Sequence, residues 1–124
     1  MIDFKNASFM KLKPVPDKDF ANLITPMFVS GETIIQSFRG IRDGVVFTNK
    51  RIFAINVQGI TGKKKDFTSL PYSKIQAFSV ETAGTFDLDS ELDLWFSGLG
   101  LAKFEFVSNA DVANICRMIS ERVL

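Results

Sequence analysis

From Glu32 to Val107 apolar and polar side chains alternate with a two-residue period, and turn-forming residues recur at about every tenth position. The pattern predicts seven strands, over 32–39, 43–48, 51–57, 63–70, 75–82, 88–96 and 101–107. Arg42-Asp43-Gly44 is expected to close the first hairpin and Asn49-Lys50 the second, with Gly59 to Gly62 forming the third connection. Leu70-Pro71, Ala83-Gly84 and Gly98 with Gly100 end the fourth, fifth and sixth strands. In LDSELDLWF the alternation sends Leu88, Leu92, Leu94 and Phe96 to a core face, and Asp89, Glu91, Asp93 and Trp95 to a wet one. Phe104 and Phe106 oppose Lys103 and Glu105 in the same way, as Phe78 and Val80 oppose Ser79 and Glu81.

The period becomes helical at both ends of this run. Phe20, Leu23 and Ile24 predict a short helix over 17–25, with Asp17 as its cap and Pro26 halting it. Val112, Ile115, Cys116, Ile119 and Val123 form the apolar stripe of a C-terminal helix. Ser108 and Asp111 approximate its capping box. An isolated stripe of this kind would stay in water, so the expected solution is a bent antiparallel barrel whose open end the last helix plugs.

A chain of 124 residues is the size of one domain. Thirteen Phe against one Trp and one Tyr suit a half-buried pleated core. The lone Cys116 excludes an internal disulfide, and its place on the apolar stripe makes it structural. MIDFKNASFMKLKP, broken by Lys5, Asn6, Lys11 and Lys13, lacks the apolar run of a signal peptide or membrane span, so a cytoplasmic protein is expected. The net charge of +1 conceals an asymmetry: residues 1–75 hold twelve Lys or Arg and six Asp or Glu, residues 76–124 three and eight. Such a split can direct an anionic partner to one face, or let opposite faces of identical subunits meet.

Gly31-Glu32 opening the first strand, Thr48-Asn49-Lys50-Arg51-Ile52 across the second hairpin, and Leu70-Pro71-Tyr72-Ser73-Lys74-Ile75 before the fifth strand together resemble the bacterial pleckstrin-homology (PH) domain family. The resemblance covers roughly residues 28–124. It implies a mainly β fold with α, a PH-like seven-stranded antiparallel barrel capped by a C-terminal α-helix, with residues 1–27 as an N-terminal extension carrying the short helix. It further implies ring-like homo-oligomers, and it does not imply a catalytic activity. The PH superfold licenses binding of lipids, peptides or proteins without naming one.

The absence of His removes the commonest general base and metal ligand, and no phosphate-binding glycine loop occurs, so no catalytic residue, metal ligand or cofactor is expected. Asp87, Asp89, Glu91 and Asp93 alternate along a strand and splay rather than converge on an ion; Lys103 on the next strand is placed to neutralise them in part. Asp89, Glu91, Asp93 and Trp95 are the candidate interface for self-association, the Trp serving as anchor. Arg39, Arg42, Lys63, Lys64 and Lys65, around the early hairpins, are the candidate ligand-binding residues, matching where lipid-binding PH domains grip phosphates. Asp43 at the first hairpin opposes that reading. Two functions result: a self-assembling protein-interaction module, and, as the alternative, a reader of phosphoinositide or anionic membrane surface that would place the protein at the membrane periphery. Nucleic acid is not an expected partner, because the charge is near neutral and the Phe residues point inward.

Overall fold

The computed structural model describes residues 1–58, 60–108 and 110–124; the expected turn residue Gly59 lies outside them. Among the described residues eight strands are present where seven are expected: β1 (Ala7–Val15), β2 (Ile34–Arg39), β3 (Asp43–Thr48), β4 (Arg51–Gln58), β5 (Lys64–Pro71), β6 (Ile75–Glu81), β7 (Ser90–Phe96) and β8 (Gly100–Phe106). They form one curled sheet in the order β5-β4-β3-β2-β1-β8-β7-β6. Only Tyr72–Lys74, a 3-10 turn, separates the two edge strands β5 and β6, so the sheet curls until its edges meet at that corner.

The additional strand comes from the segment expected to be an extension. The first half of β1 runs parallel to β8, with Ala7 opposite Ala102 and Phe9 opposite Phe104, so the sheet is not wholly antiparallel. Its last residues pair antiparallel with β2, Lys13 opposite Arg39 and Val15 opposite Ser37. The transfer occurs at a bulge between Phe9 and Leu12, where Lys11 takes φ +57. Because of that bulge Ala7, Phe9 and Leu12 all face the core, and a strict two-residue period is lost.

The sheet has two differently clothed halves. Inside the curl, Leu12, Phe38, Phe47, Leu92, Leu94, Phe104 and Phe106 belong to the main core. Outside, a second cluster of Phe20, Ile24, Val46, Phe53 and Ile55 fastens α1 (Lys18–Ile24) to the β3–β4 face. Strands β3 and β4 are therefore buried on both faces and read as near-continuous apolar runs, whereas β7 and β8 alternate. Gly44, expected in a turn, lies within β3 because the Phe20 ring occupies the place where a Cβ would project; the turn itself is closed by the Gly40 amide donating to the Asp43 carbonyl at 2.8 Å.

Both helices depart locally from expectation. Asp17 makes no side-chain cap and instead accepts from the Ser37 hydroxyl at 3.4 Å, while Leu23 is exposed. Helix α2 (Val112–Val123) is capped by Asp111 itself, accepting from the Asn114 amide, with no part for Ser108; Cys116 is half-buried, and Met118 joins Ile115 and Ile119 in the core. Against the turn, β6 and β7, α2 covers the corner where the edges meet. Leu88 precedes β7 and is 58% exposed rather than inward-facing.

The residues that carry the family resemblance converge on a single buried charge. Glu32, its side chain wholly enclosed, accepts four hydrogen bonds. Arg51 gives two, Nη2 to Oε1 at 2.8 Å and Nε to Oε2 at 3.0 Å; the Thr48 hydroxyl gives one at 2.7 Å and the Val29 amide one at 3.0 Å. Arg51 also donates to the Met27 carbonyl and the Ser69 hydroxyl, and its guanidinium lies 4.4 Å from the centre of the Phe53 ring. Asn49 clamps the same region through the Thr33 amide and the Gly31 carbonyl, and the Tyr72 hydroxyl donates to the Thr48 carbonyl at 2.7 Å.

The Arg51 fork is the main reason the Glu32 carboxyl is held down at about 2 against an ordinary 4.5; burial opposes it, and the Val29 and Thr48 bonds assist. A depressed folded-state value stabilises the fold above the unfolded pKa, and that contribution disappears as pH falls from about 4.5 towards 2. Its size is on the order of 3 kcal/mol. Glu32→Gln is expected to lower unfolding free energy at pH 7 by about 3 kcal/mol in chemical denaturation, and to flatten the loss of stability between pH 5 and 2. An unchanged acid profile in the variant would show that the pair does not set it.

Candidate functional site

With α1 over one half, the broad outer surface left bare belongs to β6, β7 and β8. Register arranges its side chains in three rows: Glu81, Glu91 and Glu105; Ser79, Asp93 and Lys103; Ala77, Trp95 and Leu101. Three of the four residues expected at an interface, Glu91, Asp93 and Trp95, thus share one strand face. Asp89 lies just before β7 and is drawn aside by an ion pair with Lys11.

Trp95 is 45% exposed at the apolar end of this surface. It borders a shallow hollow of about 180 Å³ with Ala77, Phe78, Asp93 and Leu101. A second hollow, of about 200 Å³, lies on the other side of Leu101, between residues 4–8 and Lys103. Ala77 and Leu101, which are not among the residues expected at the interface, are the cross-strand neighbours of Trp95, and only the strand register brings them to it.

The other end is strongly acidic. Glu81, Asp87, Asp89, Glu91 and Glu105 line a cleft of about 220 Å³. Lys11 is the cation paired there, to Asp89 and, at 3.8 Å, to Glu105. These carboxylates hold the Lys11 ammonium above its usual range, the Asp89 hydrogen bond leading. A lysine in the left-handed region costs about 1 kcal/mol, and the bulge that imposes it aims the ammonium at this cleft. Glu91 is pushed up, first by burial and then by Asp93. Among the described residues, Asp93 Oδ1 and Glu105 Oε1 are enclosed without a hydrogen-bond partner. Like charges set directly across strands repel, so this surface rejects anions and favours a cationic partner. Among the described residues no group of His, Cys, Asp or Glu is arranged to hold a metal ion.

The five basic candidates come together at one end of the β2–β5 half. The Arg42 carbonyl accepts from the Val57 amide at 3.3 Å, and Val57 stands opposite Lys65, so the two hairpin loops are neighbours. Their side chains are unequally available. Arg39 is engaged by Asp19 at 3.7 Å and lies 4.6 Å from the centre of the Phe20 ring, and Lys65 donates to the Gly62 carbonyl. Lys63 and Lys64 are exposed. Asp43, whose carboxyl burial pushes up against the opposing influence of Arg42, lies beneath the loops. Between the basic residues two aliphatic side chains project into solvent, Ile41 at 83% exposure and Ile60 fully. Their signal in the sequence is an isoleucine placed inside a turn, where no core face can receive it.

A family profile described as Bacterial PH domain matches residues 3–123. The uncharacterized protein YjqA of Bacillus subtilis is 46% identical over 96 residues, covering 77% of this chain and 73% of its own. In fold, the chain is similar to a DUF1696 family protein with a pleckstrin-homology domain from Shewanella loihica, with TM-score 0.81, 41% identity, and coverage of 92% of this chain and 98% of the other. A pleckstrin homology domain from Shewanella amazonensis gives TM-score 0.68 at 40% identity, covering 89% and 90%.

The acidic row has a measurable signature. In a carbon-detected NMR titration the Glu91 carboxyl is expected to titrate above the ordinary 4.5 of a glutamate, and Asp93→Asn to bring it down. A raised carboxyl value favours folding on protonation, so this residue contributes strain at neutral pH that is relieved as pH falls. A Glu91 titration indifferent to Asp93→Asn would show that the two carboxylates do not interact.

Proposed function

The chain belongs to the bacterial PH domain family, and on that premise we propose that it is a non-enzymatic protein-interaction module that assembles with copies of itself through the outer face of β6–β8. The observation that carries this reading is the unequal covering of the sheet. Helix α1 seals the outside of the β3–β4 half, while the other half presents Trp95, Ala77 and Leu101 beside a carboxylate row. A partly exposed Trp flanked by small and aliphatic neighbours has the character of an interface anchor. The acidic row calls for a basic partner surface, and the chain carries one in the loops around Arg42, Lys63 and Lys64. Contact between two unlike surfaces of identical subunits is heterologous, and it closes into a ring when the rotation per subunit divides a full turn.

Light scattering of the purified protein is expected to report an oligomer that loosens as salt is raised, because the acidic-to-basic part of the contact is screened. Trp95→Ala is expected to weaken each interface at least about 30-fold while the circular dichroism spectrum is unchanged. A salt-independent monomer at all concentrations would overturn the reading.

A second reading rests on the adjacent hairpin loops: exposed Ile41 and Ile60 among Arg42, Lys63 and Lys64 suit a surface that is both anionic and apolar, as a bilayer containing acidic lipids is. In liposome pelleting the protein is expected to sediment with vesicles containing phosphatidylserine or phosphoinositide, and to be released by the combined change of Lys63, Lys64 and Lys65 to Gln. Binding indifferent to those changes, or none at all, would exclude it.

A further inference from the structure

The curled sheet has two edges, and they are treated differently. The β5 edge carries Lys64 and Lys65 at one end and Pro71 at the other, and the Ile2 amide donates to the Thr68 hydroxyl at 3.0 Å along its middle. Charge, proline and a covering segment are the ordinary means by which an edge is closed to further strands. The β6 edge carries no proline, its charges are confined to Lys74 before its start and Glu81 at its far end, and α2 packs against it at the corner, which leaves its middle open. Its residues Gln76, Ala77, Phe78, Ser79 and Val80 are uncharged and include no proline, and Gln76, Ala77 and Ser79 are exposed. Among the described residues, Gln76 to Glu81 hydrogen-bond through the backbone with β7 alone, so alternate amides and carbonyls along the other side are left to solvent.

At the start of this open edge lies a groove of about 730 Å³ between the strand, the β7–β8 turn and the last turn of α2. Ile75, Phe96, Leu99 and Val123 supply its apolar wall, with Lys74 and Gln76 at the rim. Lys74 is exposed and has no ion pair among the described residues. An unpaired ladder beside an apolar groove with a free ammonium makes the two parts of a β-augmentation site, in which the backbone gives affinity and the pocket gives selectivity.

We infer that the β6 edge and its groove are a docking site for an extended segment of another protein, one that places a large aliphatic side chain in the groove and a carboxylate next to Lys74. Such a segment adds a ninth strand beside β6, away from the Trp95 face. A second copy of β6 fits the site poorly, since an antiparallel partner strand would deliver Glu81 and Thr82 to the apolar groove.

The test uses a fluorescein-labelled peptide of about seven residues, alternating threonine and valine, with a central leucine–aspartate pair. Anisotropy titration of the full chain is expected to give a dissociation constant on the order of 100 µM, as suits a small transient interface. Hydrogen exchange in the complex is expected to slow at amides of residues 75–81. Methylating alternate peptide nitrogens should abolish binding. Lys74→Glu should weaken it about fivefold, with recovery when lysine replaces aspartate in the peptide. No binding up to millimolar peptide, protection elsewhere than β6, or indifference to Lys74→Glu would overturn the inference. So would β6 amides that become protected with rising protein concentration alone, because a second copy would then be the occupant.

Discussion

The enclosed ion pair of Glu32 and Arg51 organises this fold. Burying a carboxylate is costly, and here the cost is met by four donors drawn from three separate places, the chain before β2, the end of β3 and the start of β4. Arg51 in turn reaches Met27 beyond α1 and Ser69 on β5. A single arrangement satisfies all of these groups at once, so the pair also acts as a gauge that accepts one packing of the helix, the hairpin and the edge strand.

That gauge determines what is left outside. With Met27, in the 3-10 turn Thr25–Met27 that follows α1, tied to Arg51, the helix must lie over the outer side of β3 and β4, where Phe20 needs the space over Gly44. One half of the sheet is thereby spent on stability. The other half keeps a bare outer face, on which the chain places the partly exposed Trp95, most of its excess negative charge and the β6 edge.

Much of this arrangement was legible in the residues. The seven expected strands lie within about two residues of their observed bounds, because each is framed by turn chemistry that admits few alternatives. The outward phase of Glu91, Asp93 and Trp95 followed from alternation alone. What failed did so where a local pattern was broken by something distant. β1 was hidden because its bulge at Lys11 shifts the phase, and because half its partners lie about a hundred residues away on β8. Gly44 looked like a turn residue, yet its lack of a side chain serves a phenylalanine more than twenty residues earlier. The motif Gly31-Glu32, Thr48 to Arg51 and Tyr72 resembled a signature without disclosing that its members touch, since sequence separation hides a hydrogen-bonded cluster. Ile41 and Ile60 were overlooked as single apolar residues in otherwise polar loops.

The placement of β1 between β2 and β8 imposes an order on folding. As the chain leaves the ribosome, the meander from β2 to β5 can zip locally, but the strand made first holds an unsatisfied side until the strand made last appears. Closure joins β1 to β8, about a hundred residues apart, the kind of distant pairing that slows the search for the native state. Until β8 arrives, a nascent molecule displays an open ladder in the middle of its future sheet. The vulnerability of that central ladder is therefore greatest during synthesis and ends when β8 pairs with β1.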